Sequence, residues 1–492
     1  MSRPRKQPGE KRIVFLIFRI IGGSLLAIQF FASILLVFSL IKLNILQVWQ
    51  LALIIGILFL IFAYNVFELF FRKRAKLFGI IASCVLAILI SGGCFYAYHY
   101  IQQANDFLAS ITGIQEETVV YDVYVRKNGG ITSYEQLKDK KIGFMYDNPN
   151  LGDLKTKIHD ELGDLNAVGY DIIGSLISEA YEGKISAFAI SESYIEFLEE
   201  SDIKIKDDFT VIHQVKFAVP GRTDLRTPVD VVKEPFIVYI SGSDAPSGNI
   251  NDVSRSDVNI LAVVNPGKGK ILLVNIPRDY YVQLHGTQGL PDKLTHAGLY
   301  GINMSKATIE DLLDIKINYT FKVGFSGVKK FVDAVDGIDI ESRAKMNIKN
   351  EHGRMCYIQV GWNHLDGECA LRYARERKTF KYGDLDRGKN QQQVITAVIN
   401  KLTDLHYLTR YTQILDAAKG TFQTSFNESE ISDFIRWQLA ELKHWQVESI
   451  QIEGQNSMQP TYSLGSTKLY VFLRNAESEQ ATKTKISEYL QN

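Results

Sequence analysis

Residues 272–286 read LLVNIPRDYYVQLHG, an apolar run of strand length that stops at Pro277 and passes at once to an arginine and an aspartate, Arg278 and Asp279. Proline has no amide proton for a sheet ladder, so the strand ends there. The run does not alternate, and neither do FIVYISG (236–242) and VNILAVVN (258–265). Uninterrupted apolar strands are covered on both faces, which predicts a layered sheet with helices on each side. TFKVGF (320–325) and SGVKKFVDAVDGIDI (326–340) then give strand, helix, strand. The expected fold is a three-layer α/β/α sandwich from about Glu234 to Leu402. The helical stretches 408–426 and 429–444 and the strand-like KLYVFLRN (468–475) are expected to complete it.

Working outward, TVVYDVYV (118–125), KIGFMY (141–146), GDLKTKIHDELG (152–163) and SLISEAYEGKISAFAIS (175–191) alternate strand and helix patterns. They predict a small α/β accessory domain between Glu117 and Pro220. It carries no convergent set of acids, bases or ligands and reads as a spacer or partner-docking module. The segment 219–235, rich in proline, glycine and charge, separates the two patterned regions.

The first hundred residues hold three apolar stretches, Ile20 to Ile41, Trp49 to Phe71 and Leu77 to Tyr98, each about 22 residues and long enough to span a bilayer. Basic residues crowd before the first and between the second and third, whereas the other connector offers only Lys42. Basic ends stay inside, so a cytoplasmic amino terminus and an extracellular remainder are expected. The resulting division is 1–101 for tail and membrane helices, 102–230 for stalk and accessory domain, and 231–492 for the sandwich domain.

Lys plus Arg and Asp plus Glu number 55 each, and the short basic amino terminus carries no nucleic-acid-binding fold, its charge being explained by topology. Of four cysteines, Cys84 and Cys94 fall in the third apolar stretch, while Cys356 and Cys369 are the pair in the exported part, where oxidation is permitted, and a disulfide between them is expected. No CxxC or His-rich cluster of zinc spacing occurs.

Charges in the sandwich region gather at predicted strand ends, where open α/β sheets bind ligands. They are Asp244; Arg255 and Asp257; Arg278 and Asp279 with Asp292 and Lys293; and Arg372, Arg375, Arg377, Arg387 and Gln391 with Asp384 and Asp386. Read as extended chain, RYARERK (372–378) would project Arg375 and Arg377 from one side. Guanidinium groups held that close repel unless an anion lies between them, and their forks suit phosphate oxygens. Asp244 and Asp257 either supply oxygen to a hard cation such as Mg²⁺ or simply pair with the arginines.

The ordered blocks SGSD (241–244), RSD (255–257), NIPRDYYVQLHG (275–286), DKLTHAGLYG (292–301), LDGECALRYARERK (365–378) and GDLDRGKNQQQVI (383–395) resemble the LytR-CpsA-Psr family of Gram-positive envelope proteins. Three anchors plus an inserted domain resemble its capsule-associated branch. The resemblance implies Mg²⁺-dependent transfer of a glycopolymer, here capsular polysaccharide, from an undecaprenyl-pyrophosphate carrier to peptidoglycan through a phosphodiester. It implies pyrophosphate contacts by Arg278, Arg375, Arg377, Arg387, Gln391 and Lys293, metal ligation by Asp244 and Asp257, and catalytic or orienting roles for Arg278, Asp279 and Arg255, supported by Asp384. Asp279 or Asp257 is expected to take the acceptor proton. Membrane lipid and capsule-synthesis machinery are implied partners; nucleic acid is not. Two departures stand out, Pro246 and Asn390, at positions where many members have arginine. Hydrolysis by the same pocket, and a non-catalytic sensor of lipid-linked glycan, remain as alternatives.

Overall fold

The computed structural model describes residues 8–72, 77–112, 117–146, 150–191, 194, 195, 198, 205–219, 226–243, 245, 248–349, 353–404, 414 and 419–491. Asp244 and Pro246 lie outside these residues, as does most of the helical expectation for 408–426; its described end is corrected, Phe422–Thr424 being a strand. The chain forms two compact units, one of residues 1–110 with 428–442 and one of residues 111–427 with 443–492.

The first unit contains helices α1 (Pro8–Leu43), α2 (Val48–Val66) and α3 (Leu77–Ile111). Three segments, Leu16–Leu43, Val48–Phe71 and Leu77–Ile111, are long and apolar enough to cross a membrane. One polar pair turns inward: Asn65 donates to Gln29 at 3.1 Å, both fully buried. Such pairs hold apolar helices in register where no hydrophobic force acts between them. A π-helical turn, Phe67–Phe71, follows α2 and turns Glu68 inward, where it binds Arg72 at 2.6 Å. Gly79 makes the room, since a Cβ there would lie 2.1 Å from the Glu68 carboxylate. Helix α10 (Glu428–Glu441) belongs to this unit, with Arg436 donating to the Asn44 side chain at 2.6 Å, rather than to the sandwich expected from its sequence position.

In the second unit, β1 (Glu117–Arg126), β2 (Lys141–Met145), β3 (Asn166–Tyr170), β4 (Ala187–Ser191) and β5 (Phe209–Val219) form a sheet of order β3-β2-β4-β1-β5. Helices α4 (Leu151–Leu162) and α5 (Ile173–Tyr181) bury Leu154, Ile158 and Leu176, Ile177 against it.

The larger sheet runs β16-β11-β6-β7-β8-β17, from β6 (Phe236–Ser243), β7 (Ser256–Asn265), β8 (Lys270–Asn275), β11 (Tyr319–Gly324), β16 (Phe422–Thr424) and β17 (Gln446–Gln451). Its centre is an antiparallel meander, while β11 and β17 join in parallel. One face packs Leu261, Val263, Leu272 and Val274 against α6 (Ile302–Leu313) and the terminal helix α11 (Ala476–Leu490). The other is covered by α9 (Asp384–Leu402), whose Gln392 amide donates to Leu273 O and Ile450 O at 3.0 and 2.7 Å. Helices α7 (Phe325–Ala334) and α8 (Gly367–Arg375) extend that layer. The architecture is therefore α/β/α, as the unbroken apolar strands require. Strand direction puts the ends of β6, β8, β11 and β17 and the start of β7 at one edge of the sheet.

Cys356 and Cys369 form a disulfide, tying β14 (Met355–Ile358) to α8.

Candidate functional site

The site is assembled at that edge. At the end of β8 the backbone N–H of Ile276 donates to Asn259 O (2.9 Å), and Pro277 then turns the chain out of the ladder. Arg278 and Asp279 follow in the turn, both buried. Arg255 immediately precedes β7 and is also buried. Between Gly242 and Ser243 the β6–β7 register shifts, and such bulges re-aim the side chains beside them. Arg387 lies in the first turn of α9. Gly388 beside it lets the helix approach β8, since a Cβ there would be 2.1 Å from Asn275 Nδ2.

These segments meet around Asp257. Its Oδ1 is 2.9 Å from Arg278 Nη1 and accepts from the Thr295 hydroxyl at 3.2 Å. Burial alone would raise the Asp257 pKa, but Arg278, Arg255, Arg387 and the Thr295 hydroxyl outweigh it, and the carboxyl is held below the usual range. Arg255 shows the converse: desolvation, reinforced by repulsion from Arg278 and Arg377 against the attraction of Asp257 and Asp279, pushes its pKa down to about 10. Burial likewise lowers Arg387, which is 2.5 Å from Asp384. Asp384 is itself raised, by burial first and then by Asp279, against the opposing guanidinium groups.

Asp279 receives Lys293 Nζ at 3.2 Å, with Arg278 Nε at 3.7 Å. Arg387 Nε is buried without a hydrogen bond among the described residues. Buried cations gathered around one carboxylate, with a guanidinium nitrogen left unbonded, are an arrangement that can accept an anion. Three guanidinium groups with Lys293 suit a diphosphate better than any single-charged ligand.

Arg377 acts electrostatically on Arg255, Asp384 and Arg387 and so faces the cluster from its exposed position. Gln391 is buried one helical turn after Arg387, on the same face of α9. The extended reading of RYARERK is corrected: residues through Arg375 are the last turns of α8, which Asp366 starts by accepting from Cys369 N at 2.9 Å. Arg375 stacks on Phe325 with its guanidinium carbon 4.5 Å from the ring centre. Arg372 binds Glu368 at 3.1 Å, an intrahelical pair. At Asn390, a position of departure from the family pattern, the side chain accepts from Arg343 at 3.0 Å and donates to Tyr373 O at 3.1 Å.

Sequence reasoning missed Thr295 and Tyr470. The Tyr470 phenol lies on the hairpin of β18 (Gly454–Thr461) and β19 (Gly465–Arg474), and its pKa is raised by burial and by Asp279 and Asp384. The isolated bridge of Tyr280 to Phe472, with Phe472 N donating to Asp279 O at 2.8 Å, pins that hairpin to the site.

Residues 201–485 match the LytR_cpsA_psr family. A polyisoprenyl-teichoic acid–peptidoglycan teichoic acid transferase of Bacillus cereus is 34% identical over 222 residues, covering 45% of this chain and 70% of that protein. Its Enterococcus faecalis counterpart is 34% identical over 196 residues, covering 40% and 63%. Among solved structures, B. subtilis TagV shares 27% identity at a TM-score of 0.45 over 52% of this chain and 98% of its own. TagT bound to LI-WTA shares 26% at 0.42, over 55% and 95%.

Proposed function

This chain belongs to the LytR-CpsA-Psr family, and on that premise we propose that it transfers a glycopolymer from a polyprenyl-pyrophosphate carrier onto peptidoglycan. The observation that carries the reading is the convergence of buried Arg255, Arg278 and Arg387 on one ionised Asp257, beside Lys293. The relatives' names give lipid-linked teichoic acid and peptidoglycan as donor and acceptor classes. Capsular polysaccharide is the polymer we assign here, from the three membrane spans and the inserted accessory sheet.

In the proposed reaction the acceptor hydroxyl oxygen bonds to the sugar-proximal phosphorus, and the bond from that phosphorus to the bridging oxygen breaks. Lipid monophosphate leaves, and a sugar phosphodiester remains on peptidoglycan. Phosphoryl transfer asks the protein for positioning and charge stabilisation more than for covalent chemistry. Arg278, Arg387, Arg377 and Lys293 would bind the diphosphate oxygens, with Arg255 orienting Asp257, Gln391 and Arg375 flanking, and Asp384 supporting Arg387. The acceptor proton goes to a site carboxylate. Asp279 suits this better than Asp257, whose basicity the guanidinium groups suppress.

Magnesium fits the donors. Asp257 Oδ1 is engaged by Arg278 and Thr295, so its second oxygen is the one we assign to a cation. One or two carboxylates, completed by water and phosphate oxygens, suffice for this ion. Asp257 with Asp244 would hold it, and it would neutralise charge on the diphosphate.

We further propose that the amino terminus is cytoplasmic and the second unit extracellular, with domain limits 1–101, 102–230 and 231–492. The test of function is incubation with labelled carrier-linked glycan, with and without peptidoglycan. Label joined to peptidoglycan with release of lipid monophosphate is expected. Release of free glycan phosphate at the same rate without acceptor would make the protein a hydrolase instead.

A further inference from the structure

Next to the arginine cluster lies a second buried polar group that takes no part in the chemistry above. Asp292 is fully buried, and its Oδ1 accepts from the Lys293 backbone N–H at 2.7 Å and from His296 Nδ1 at 2.5 Å. Its Oδ2 accepts from the Ser463 N–H at 2.9 Å and from the Ser463 hydroxyl. These donors come from β10 (Asp292–Lys293), from the helical turn Leu294–Ala297 and from the loop closing the β18–β19 hairpin. A carboxylate withdrawn from water is costly unless hydrogen-bonded, and four donors on its two oxygens tie together the segments that carry them.

What it fixes is the arm that reaches the site. Lys293 and Thr295 lie either side of Leu294, with Lys293 on Asp279 at 3.2 Å and the Thr295 hydroxyl on Asp257 at 3.2 Å. The backbone of this arm runs alongside the arginine turn: Thr295 N donates to Arg278 O at 2.8 Å and Leu294 N to Tyr280 O at 2.9 Å. Gly298 lets the following turn lie flat on the start of β7, because a Cβ there would meet Ser256 N at 2.5 Å. Leu299 then enters the core of the accessory sheet together with Leu464 and Leu469 of the hairpin. The arm is thus held at both ends, and Asp292 is its hinge to the hairpin.

We propose that Asp292, with His296 and Ser463, is a positioning centre that holds Lys293 and Thr295 against Asp279 and Asp257. This rests on the transferase reading and deepens it, since Asp292 acts on the reaction only through those two residues.

The test uses the full chain in lipid nanodiscs, with carrier-linked glycan and peptidoglycan. Asp292→Asn is expected to lower kcat roughly 100-fold, the cost of a slight misplacement of reacting groups, with KM changed no more than about threefold. Added to Lys293→Met/Thr295→Val, it should change kcat by less than about twofold, because its targets are already gone. A triple variant whose loss is the product of the two separate losses overturns the proposal. Should Asp292→Asn fail to fold, the Ser463 hydroxyl decides: Ser463→Ala should lower kcat and Ser463→Thr restore it, and a threonine that does not restore it overturns the proposal. Arg278→Ala serves as the separate control. Absence of transfer by the unsubstituted protein removes the transferase reading, normal transfer by Arg278→Ala removes that arginine's role, and loss of transfer in Arg278→Ala alongside multiplicative Asp292 effects removes the positioning role alone.

Discussion

Replacing Arg278 by methionine should do two separable things. The guanidinium is 8% exposed and its Nη1 is 2.9 Å from Asp257 Oδ1, so the change strands a carboxylate that is only 12% exposed. Removing one partner of a buried pair typically costs about 3–5 kcal/mol. Arg255 and Arg387 also act on Asp257 and absorb part of this, as does the Thr295 hydroxyl. A loss of about 2–3 kcal/mol is therefore expected for Arg278→Met. Adding Asp257→Asn removes the stranded charge, so the double variant should regain at least about 1.5 kcal/mol of it. Transfer should not return: both variants lack a cation on the diphosphate and should stay about 10²–10³-fold below wild type. Urea unfolding of the purified protein gives the stabilities, and product release from carrier-linked glycan gives the rates. A loss below about 0.5 kcal/mol, or a double variant no more stable than Arg278→Met, would refute the pairing. A stable double variant with normal transfer would refute the catalytic part.

Three further outcomes follow from the same structure. The folded Asp257 carboxyl titrates below its unfolded value, so its contribution is present above the ordinary carboxylate range and is lost as pH falls through the folded pKa; Asp257→Asn should flatten the acid limb of a pH–stability curve, and an unchanged limb would contradict this. Asp384 has the opposite sign, its pKa being raised, so Asp384→Asn should not cost stability at neutral pH although it impairs transfer. The Cys356–Cys369 bond closes a sequence separation of 13, and replacing both by serine should cost about 3 kcal/mol on the chain-entropy account, read by denaturant unfolding; a change within error would show that the loop is ordered without it.

The sheet was legible because its strands are apolar without alternation, and the site was legible because charges interrupt those runs at Pro277 and around Ser256. The antiparallel meander also has a local cause, the short turn at 266–269 where Gly269 takes φ of 63°. Arg375 and Arg377 were misread because a charge run has no apolar period to choose helix over strand; the cue was Asp366, the N-cap that starts α8. Thr295, Tyr470 and Ser463 could not be seen, since each is an ordinary residue made functional or structural by a long-range contact. The grouping of Glu428–Glu441 with the membrane helices was hidden for the same reason, resting on polar contacts to Asn44.

The central claim is that cations brought from separate segments share one diphosphate. Its most direct test is equilibrium binding of a short-chain polyprenyl pyrophosphate and the matching monophosphate to the full protein, across ionic strength. Saturable binding that favours the diphosphate, weakens with salt and disappears in Arg278→Met, Arg387→Met and Lys293→Met alike is expected. Equal affinity for the two lipids, or binding untouched by those three substitutions, would contradict it.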